Sequence, residues 1–471
     1  MKNRITKTSL SASKALTVAL SLSGLFFLAS CSREQLNAEG PTNSSADASS
    51  VSVFSMGTPG ANYVANEVLV KFKKGVQPEA RGRALSKMSA TAKEHIHTAS
   101  MKKAGDEQGV MLVSVPMGVI QAMQMLGNMP EVEFVEPNFI YNHFATSNDT
   151  YFTNGSLWGM NGSYGCDAVT AWANDHNGII NVDAPVYIAV IDEGIMNTHE
   201  DLAANCWINS NDPIDGVDND GNGYKDDKWG WDFAGNDNTT FDNFSDDHGS
   251  HVAGTIGAVG KNSKGVVGVS WGVKMISCKF LGQKGGTTAN AIKAIDYVTD
   301  LKSRAGLNIV ATNNSWGGGG YSQALKDAID RADAADILFI AAAGNNGTNN
   351  DVTASYPSNY SSANIIAVAA IASNGTLASF SQYGATTVDI GAPGVSINST
   401  IPSKKGTSAY SSYNGTSMAT PHVTGAAALY AAYNPGSSAA AIKAAILAAA
   451  TPTTSLTGKC VTGGRLNVST F

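Results

Sequence analysis

The chain has 471 residues, 43% of them hydrophobic and 15% charged, with 49 glycines. That length exceeds what one small core organises and implies two folded domains plus processed segments. A net charge of −7 with no basic stripe argues against a nucleic-acid binder.

Lys2, Arg4, Lys7 and Lys14 precede an apolar run from Ala15 to Leu28. The run is too short for a comfortable membrane span and has the flanks of an export signal. It ends in Leu28-Ala29-Ser30-Cys31, which resembles the bacterial lipobox, whose cysteine is diacylated and becomes the new N-terminus. Residues 1–31 are therefore expected to be a lipoprotein-type signal peptide, with Cys31 as the lipidation site and lipid alone as the membrane anchor. A cleaved signal with a chance cysteine is the alternative. Residues 32–61, rich in Ser, Ala, Asn and Gly, read as a flexible linker. The expected location is extracytoplasmic, either as a cell-envelope lipoprotein or secreted after processing. Cys166, Cys206, Cys278 and Cys460 remain; four thiols allow three pairings, and none is favoured. Cys278 lies in an apolar run and reads as a buried free thiol.

Residues 62–145 alternate strand and helix. Strands are predicted over Glu67–Phe72, Val110–Val115 and Val132–Tyr141, and helices over Pro78–Met88 and Val119–Leu126. This is a small α+β unit with no cluster of catalytic residue types. Such a unit ahead of a larger one that carries chemistry reads as a propeptide; a generic ferredoxin-like module is the alternative.

In residues 146–471, short apolar runs alternate with Ala-rich helical segments. Strands are predicted over Val186–Ile191, Val273–Phe280, Ile309–Thr312, Ile337–Ala341, Ile365–Ala369 and Val388–Gly391. Helices are predicted over Ala289–Leu301, Ser322–Ala335, Val423–Ala432 and Ala439–Ala450. Continuous apolar strands between helices imply an α/β fold, a mostly parallel sheet covered on both faces. Sites in such sheets form beyond the C-terminal strand ends.

Polar residues stand at several of these strand ends and helix starts. The first runs into Asp192-Glu193-Gly194; a carboxylate there needs a cation, a histidine or a capping role. Next comes an acidic stretch, with 11 aspartates and two lysines between Asp212 and Asp247. Within it Asp218, Asp220 and Asn222 occupy alternating ligand positions of a calcium loop. Gly223 supplies the turn, Tyr224 a carbonyl, and Asp226 a direct or water-mediated ligand. Trp229 stands where such loops carry a closing glutamate, so a structural Ca2+ needs a further carboxylate from elsewhere. His248-Gly249-Ser250-His251 opens a helix. With no HExxH pattern, one histidine reads as a general base and the other as structural. Asn345 follows Ala343-Gly344 at another strand end, as an oxyanion donor or a turn residue. Finally Asn414-Gly415-Thr416-Ser417-Met418-Ala419-Thr420-Pro421-His422 turns directly into a helix. Ser417 there is either a cap or a nucleophile beside unpaired N–H groups.

The order Asp192, His248, Asn345, Ser417, with the blocks His248-Gly249-Ser250-His251-Val252-Ala253-Gly254-Thr255 and Gly415-Thr416-Ser417-Met418-Ala419-Thr420-Pro421-His422, resembles the subtilisin-like serine proteases. The resemblance runs from about Tyr63 onward. It implies an inhibitory propeptide over residues 62–145 and a catalytic domain over 146–471, separated by self-cleavage between roughly Asn142 and Tyr151. It assigns His248 as general base, with Asp192 orienting it and His251 structural. Ser417 is the nucleophile, and Asn345 with the Ser417 N–H forms the oxyanion hole.

Substrate backbone would pair with Ser315-Trp316-Gly317-Gly318 and, facing it, Gly285-Gly286, as an added strand. Ala342-Ala343-Gly344 would wall the P1 pocket, with Ser355 near its base. With no acid there, an apolar rather than basic P1 is expected. A second calcium site could use Asp201 and Asn262. The partners implied are protein or peptide substrates and the chain's own propeptide. Glu193 departs from the family's usual Ser or Thr; strand alternation predicts that it faces away from His248. Two other classes remain: a binding protein on an inactive protease scaffold, and an esterase, which would need a G-x-S-x-G elbow that this serine lacks.

Overall fold

The computed structural model describes residues 63–139, 146–173 and 185–471. The signal, Cys31 and the whole of the 32–61 linker lie outside these, as do residues 140–145, which take in the first part of the expected cleavage region. The chain forms two compact units, divided between Phe139 and Ile140.

The N-terminal unit is an antiparallel sheet of β1 (Tyr63–Phe72), β2 (Thr91–Ile96), β3 (Val110–Ser114) and β4 (Val132–Phe139), in the order β2-β3-β1-β4. Helices α1 (Pro78–Ser86), α2 (Ala99–Lys103) and α3 (Val119–Gly127) connect them. Val68, Val70 and Phe72 alternate into the core, where they meet Val113, Val135 and, from α3, Met123 and Leu126. The strand β2 escaped the sequence reading because its side chains are almost all exposed, so no apolar period marks it.

The second unit begins with short helices α4 (Thr150–Thr153), α5 (Trp158–Asn161) and α6 (Ala168–Ala173). Its sheet is built from β5 (Tyr187–Asp192), β6 (Gly230–Asp232), β7 (Lys274–Lys279), β8 (Ile309–Asn314), β9 (Leu338–Ala342), β10 (Ile365–Ile371) and β11 (Ile390–Pro393). These run parallel in the order β11-β10-β9-β8-β5-β7-β6. A hairpin, β12 (Ile397–Pro402) with β13 (Ser408–Tyr413), stands apart from it. The two-residue strands β14 (Thr451–Pro452) and β15 (Gly464–Arg465) extend the β11 edge. Helix α7 (Asp247–Gly257) and α10 (Thr416–Tyr433) cover one face, and α8 (Thr288–Ser303) and α9 (Gln323–Ala334) the other; α11 (Ala439–Ala448) follows α10. This is the α/β fold, a mostly parallel sheet covered on both faces, that the strand and helix pattern implied. Helix α10 is buried nearly all round, as a helix sandwiched between a sheet and other helices must be. Small residues make that possible: a Cβ at Gly425 would come within 2.7 Å of Val269.

The order reverses between β5 and β8, which are neighbours although β6 and β7 intervene in sequence. The C-terminal ends of β5, β8 and β9 therefore open onto one crevice, where ligands collect in open parallel sheets.

Candidate active site

Asp192 is the last residue of β5 and is fully buried. Its Oδ1 accepts from His248 Nδ1 at 2.8 Å and from the Glu193 N–H at 2.8 Å. His248 sits in the first turn of α7, which is pressed against the chain leaving β5. A Cβ on Gly249 would lie 2.2 Å from the Gly194 carbonyl, and one on Gly194 only 2.1 Å from that of Thr240. Both glycines are thus required by close approach, and the approach sets the distance between carboxylate and imidazole.

Glu193 does not face away from His248. The strand stops at Asp192, so alternation no longer applies, and the Glu193 carboxylate accepts the backbone N–H of His248 at 3.2 Å. A carboxylate at a helix N-terminus is favourable there. Burial and the neighbouring Asp192 raise the Glu193 carboxyl above its usual range, against the pull of His248. Burial also opposes charge on His248, but Asp192 outweighs it, helped by Glu193 and Asp247, and the imidazole is pushed up to about 9.

Behind this pair sits Lys279, the end of β7, only 1% exposed. Its Nζ donates to the Glu193 carbonyl at 2.8 Å and meets Asp246 at 2.9 Å and Asp242 at 3.4 Å. Burial works against its charge, but Asp246 and then Asp242 hold its pKa above the ordinary value. The lysine ties the segment after Asp192 to the residue before α7. The sequence reading passed over it, although a lysine at the end of an apolar strand was a visible signal.

His251 plays a different part. Its Nε2 bonds the carbonyls of Ile397 and Ser411, and its ring stacks on Tyr413 at 4.4 Å. Burial, then the nearby His248, push it down to about 3, so it stays neutral and holds the hairpin.

Ser417 lies in the first turn of α10. Pro421 has no N–H for the Ser417 carbonyl four residues back. That carbonyl instead accepts from Ser315 Oγ at 2.9 Å, while Ser417 Oγ donates to the Ser315 carbonyl at 3.0 Å. The serine hydroxyl therefore rests on β8's extension rather than on His248, although Ser417, His248, Asn345 and Tyr413 line one open cleft. Asn345 Oδ1 accepts from the Thr416 N–H at 2.9 Å and its hydroxyl at 3.0 Å. The Asn345 amide orientation is thereby set, and among the described residues no acceptor takes Nδ2 where Asn345 lines the cleft.

The expected substrate segments divide between two cavities. One, of about 370 Å3, is lined by Gly285 and Gly286 on one side and Trp316, Gly317 and Gly318 on the other, above Phe280, Leu325 and Tyr356. The second, of about 160 Å3, adjoins Ser417 and includes Trp316, Gly317, Gly318, Ala342, Gly344, Asn345 and Ser355. Ala343 is not in its lining; it is buried against Ala369 and Ile371. Asn346 and Gln382, which the sequence reading did not single out, are in the lining.

The acidic loop offers only hard oxygen and amide donors, a chemistry that suits calcium. Asp218 accepts from the N–H groups of Gly221, Asn222 and Gly223. Asp220 accepts from Asn209, and Asp226 from the N–H groups of Asp215 and Gly216. The Asn222 amide nitrogen donates to Asp227, and Tyr224 packs against Trp231 and Tyr297. Among the described residues, no three His, Cys, Asp or Glu side chains converge as a metal shell. Asp227, absent from the expected set, is fully buried and also accepts from Tyr297 Oη. Asp201 and Asn262 do meet, at 2.7 Å. The four described cysteines are buried and unpaired.

Residues 183–464 match the model of the subtilase family, and residues 51–138 that of the fervidolysin N-terminal prodomain. The chain is 35% identical over 370 residues to a thermophilic serine proteinase of Bacillus sp. (strain AK1), covering 78% of each. It is 36% identical over 320 residues to an extracellular protease of Xanthomonas campestris pv. campestris, covering 65% of this chain and 53% of that one. A solved structure of a protease from Pseudoalteromonas arctica superposes with a TM-score of 0.53 at 28% identity, covering 69% of this chain and 98% of the other.

Proposed function

The chain belongs to the subtilase family of serine peptidases, and from that premise we infer that it is an exported serine endopeptidase made as a self-processed zymogen. Ser417 is the nucleophile. Its Oγ turns from the Ser315 carbonyl toward His248, whose Nε2 takes the proton as Oγ attacks the scissile carbonyl. Asp192 holds Nδ1–H of the ring and stabilises the imidazolium. The oxyanion is received by Asn345 Nδ2 and the Ser417 N–H at the start of α10. His248 then protonates the leaving amine, and water repeats the sequence to free the acyl group.

The observation that carries this reading is the 2.8 Å bond from His248 to Asp192 in the cleft that also holds Ser417 and an Asn345 amide with a spare donor. A fluorophosphonate probe tests it: the matured protein should be labelled at Ser417, and labelling should vanish in Ser417→Ala. An unlabelled, correctly processed protein would leave a binding module as the better reading.

Export is supported by the leader sequence and by the Xanthomonas relative, which is named an extracellular protease. Cys31 is the proposed lipid attachment, residues 62–145 the inhibitory propeptide, and 146–471 the catalytic domain. Cleavage between roughly Asn142 and Tyr151 would part the enzyme from its lipid, so maturation releases it unless the propeptide stays bound. N-terminal sequencing of protein from its native host reads out both the lipidated end and the cleavage site. Calcium is proposed as a structural ion, held by Asp218, Asp220, Asn222, the Tyr224 carbonyl and Asp226; the peptide chemistry itself needs no metal.

A further inference from the structure

The cavity of about 160 Å3 beside Ser417 holds a polar group whose orientation the surrounding network determines. Asn350, 2% exposed, donates from Nδ2 to the Ala343 carbonyl at 3.0 Å. A carbonyl can only accept, so the Asn350 amide has one orientation and its Oδ1 must be the acceptor facing Gln382. Gln382 Nε2 donates to that oxygen at 2.6 Å, and this in turn settles Gln382: Oε1 is the atom that lies against Gly344, which lines the cavity with it. The backbone locks the arrangement, with the Gln382 N–H on the Gly344 carbonyl at 2.9 Å. Gly344 makes room for the oxygen, since a Cβ there would lie 1.9 Å from Oε1.

Gln382 is 4% exposed, and among the described residues no donor reaches its Oε1. A buried acceptor left open toward a cavity is a recognition element for a donor that arrives with the ligand. None of the cavity's lining residues is charged; Ser355, Asn346, Thr416 and the indole N–H of Trp316 are its other polar groups outside the catalytic set. The space is large enough to admit a side chain.

When a scissile carbonyl sits between Ser417 Oγ and Asn345 Nδ2, the side chain of the residue that owns it enters this cavity. We propose that Gln382 sets specificity at P1: its Oε1 accepts a hydrogen bond from an uncharged donor on the P1 side chain, so that bonds after glutamine or asparagine are cut in preference to those after their apolar isosteres. This replaces the apolar P1 expected from the sequence and rests on Ser417 being the nucleophile.

The test is kcat/KM on otherwise identical peptides differing only at P1, glutamine against methionine and asparagine against leucine, with the matured enzyme. The donor-bearing member of each pair should lead by about tenfold, the worth of one buried hydrogen bond. Gln382→Leu should abolish or invert both ratios; a ratio within one enzyme is independent of the folded fraction, so partial misfolding of the variant does not blur it. Should Gln382→Leu yield no folded protein, the wild-type ratios alone decide. Methionine and leucine at or above their partners in the wild type overturn the proposal while leaving the protease reading intact. No hydrolysis of any peptide, together with no fluorophosphonate labelling of Ser417, overturns both.

Discussion

Glu193→Gln isolates one charge beside the general base. The Glu193 carboxylate accepts the His248 N–H at 3.2 Å, and a glutamine oxygen can keep that contact while removing the charge. His248 must be neutral to accept a proton, so its pKa, pushed up to about 9, sets the acid limb of kcat/KM. Activity should then climb well into the alkaline range. Taking ~6 Å between the two charges and an effective dielectric of ~40–80 in a partly wet cleft, Coulomb's law makes the interaction roughly 0.7–1.4 kcal/mol, or about 0.5–1 pH unit. The direction follows from the charge: losing an anion disfavours the imidazolium, lowers the pKa and moves the acid limb down. The assay is kcat/KM against pH at constant ionic strength with one peptide substrate. The plateau should change little, because the Asp192–His248 bond is untouched. An acid limb that stays put, or moves up, would refute the electrostatic account and leave Glu193 as a helix cap alone.

Three further outcomes are expected. Asn345→Asp keeps an oxygen for the Thr416 N–H but replaces the free donor with an anion. Its kcat should fall by ~10²–10³ with KM nearly unchanged, the size known for such a donor in subtilisin rather than one worked from these distances; a KM effect alone would remove Asn345 from the oxyanion hole. Lys279→Met strands the buried Asp246 carboxylate and should lower stability by about 3–5 kcal/mol, read by urea unfolding in a Ser417→Ala background to suppress autolysis. A loss under ~1 kcal/mol would mean that the pair does not clamp the segment after Asp192. Chelation in the same background should lower the thermal midpoint. Calcium should restore it, by roughly 2.7 kcal/mol at ~100 times Kd, and Asp218→Ala should erase the difference; a midpoint indifferent to chelator would exclude the loop as a calcium site.

Much of this protein was legible in its sequence because the relevant signals are local. Apolar β-branched runs marked the central strands of the parallel sheet, which are buried on both faces and need no alternation to be seen. Where a strand lies exposed, as in β2, or is only two residues long, as in β14 and β15, the pattern is absent and the strand went unseen. Asp192, His248, Asn345 and Ser417 stood out because each occupies a strand end or helix start where a polar residue needs a reason.

The tertiary structure decided what those residues touch. Alternation misplaced Glu193 because alternation ends with the strand, and only the packing of α7 on Gly194 shows that its carboxylate meets His248. Lys279 and Asp246 are 33 positions apart, and Asn350 and Gln382 are 32 apart. Each of these contacts is settled by where β7, α7 and the loops after β9 and β10 come to rest. The residue types that the proposed reaction needs, a nucleophile, a base and a donor, were thus legible in the sequence, because each stands at a local structural boundary. The pKa of the base and the polarity of the pocket were decided only by the fold. Both depend on distances between groups brought together through loops of many residues, and no local pattern encodes such distances.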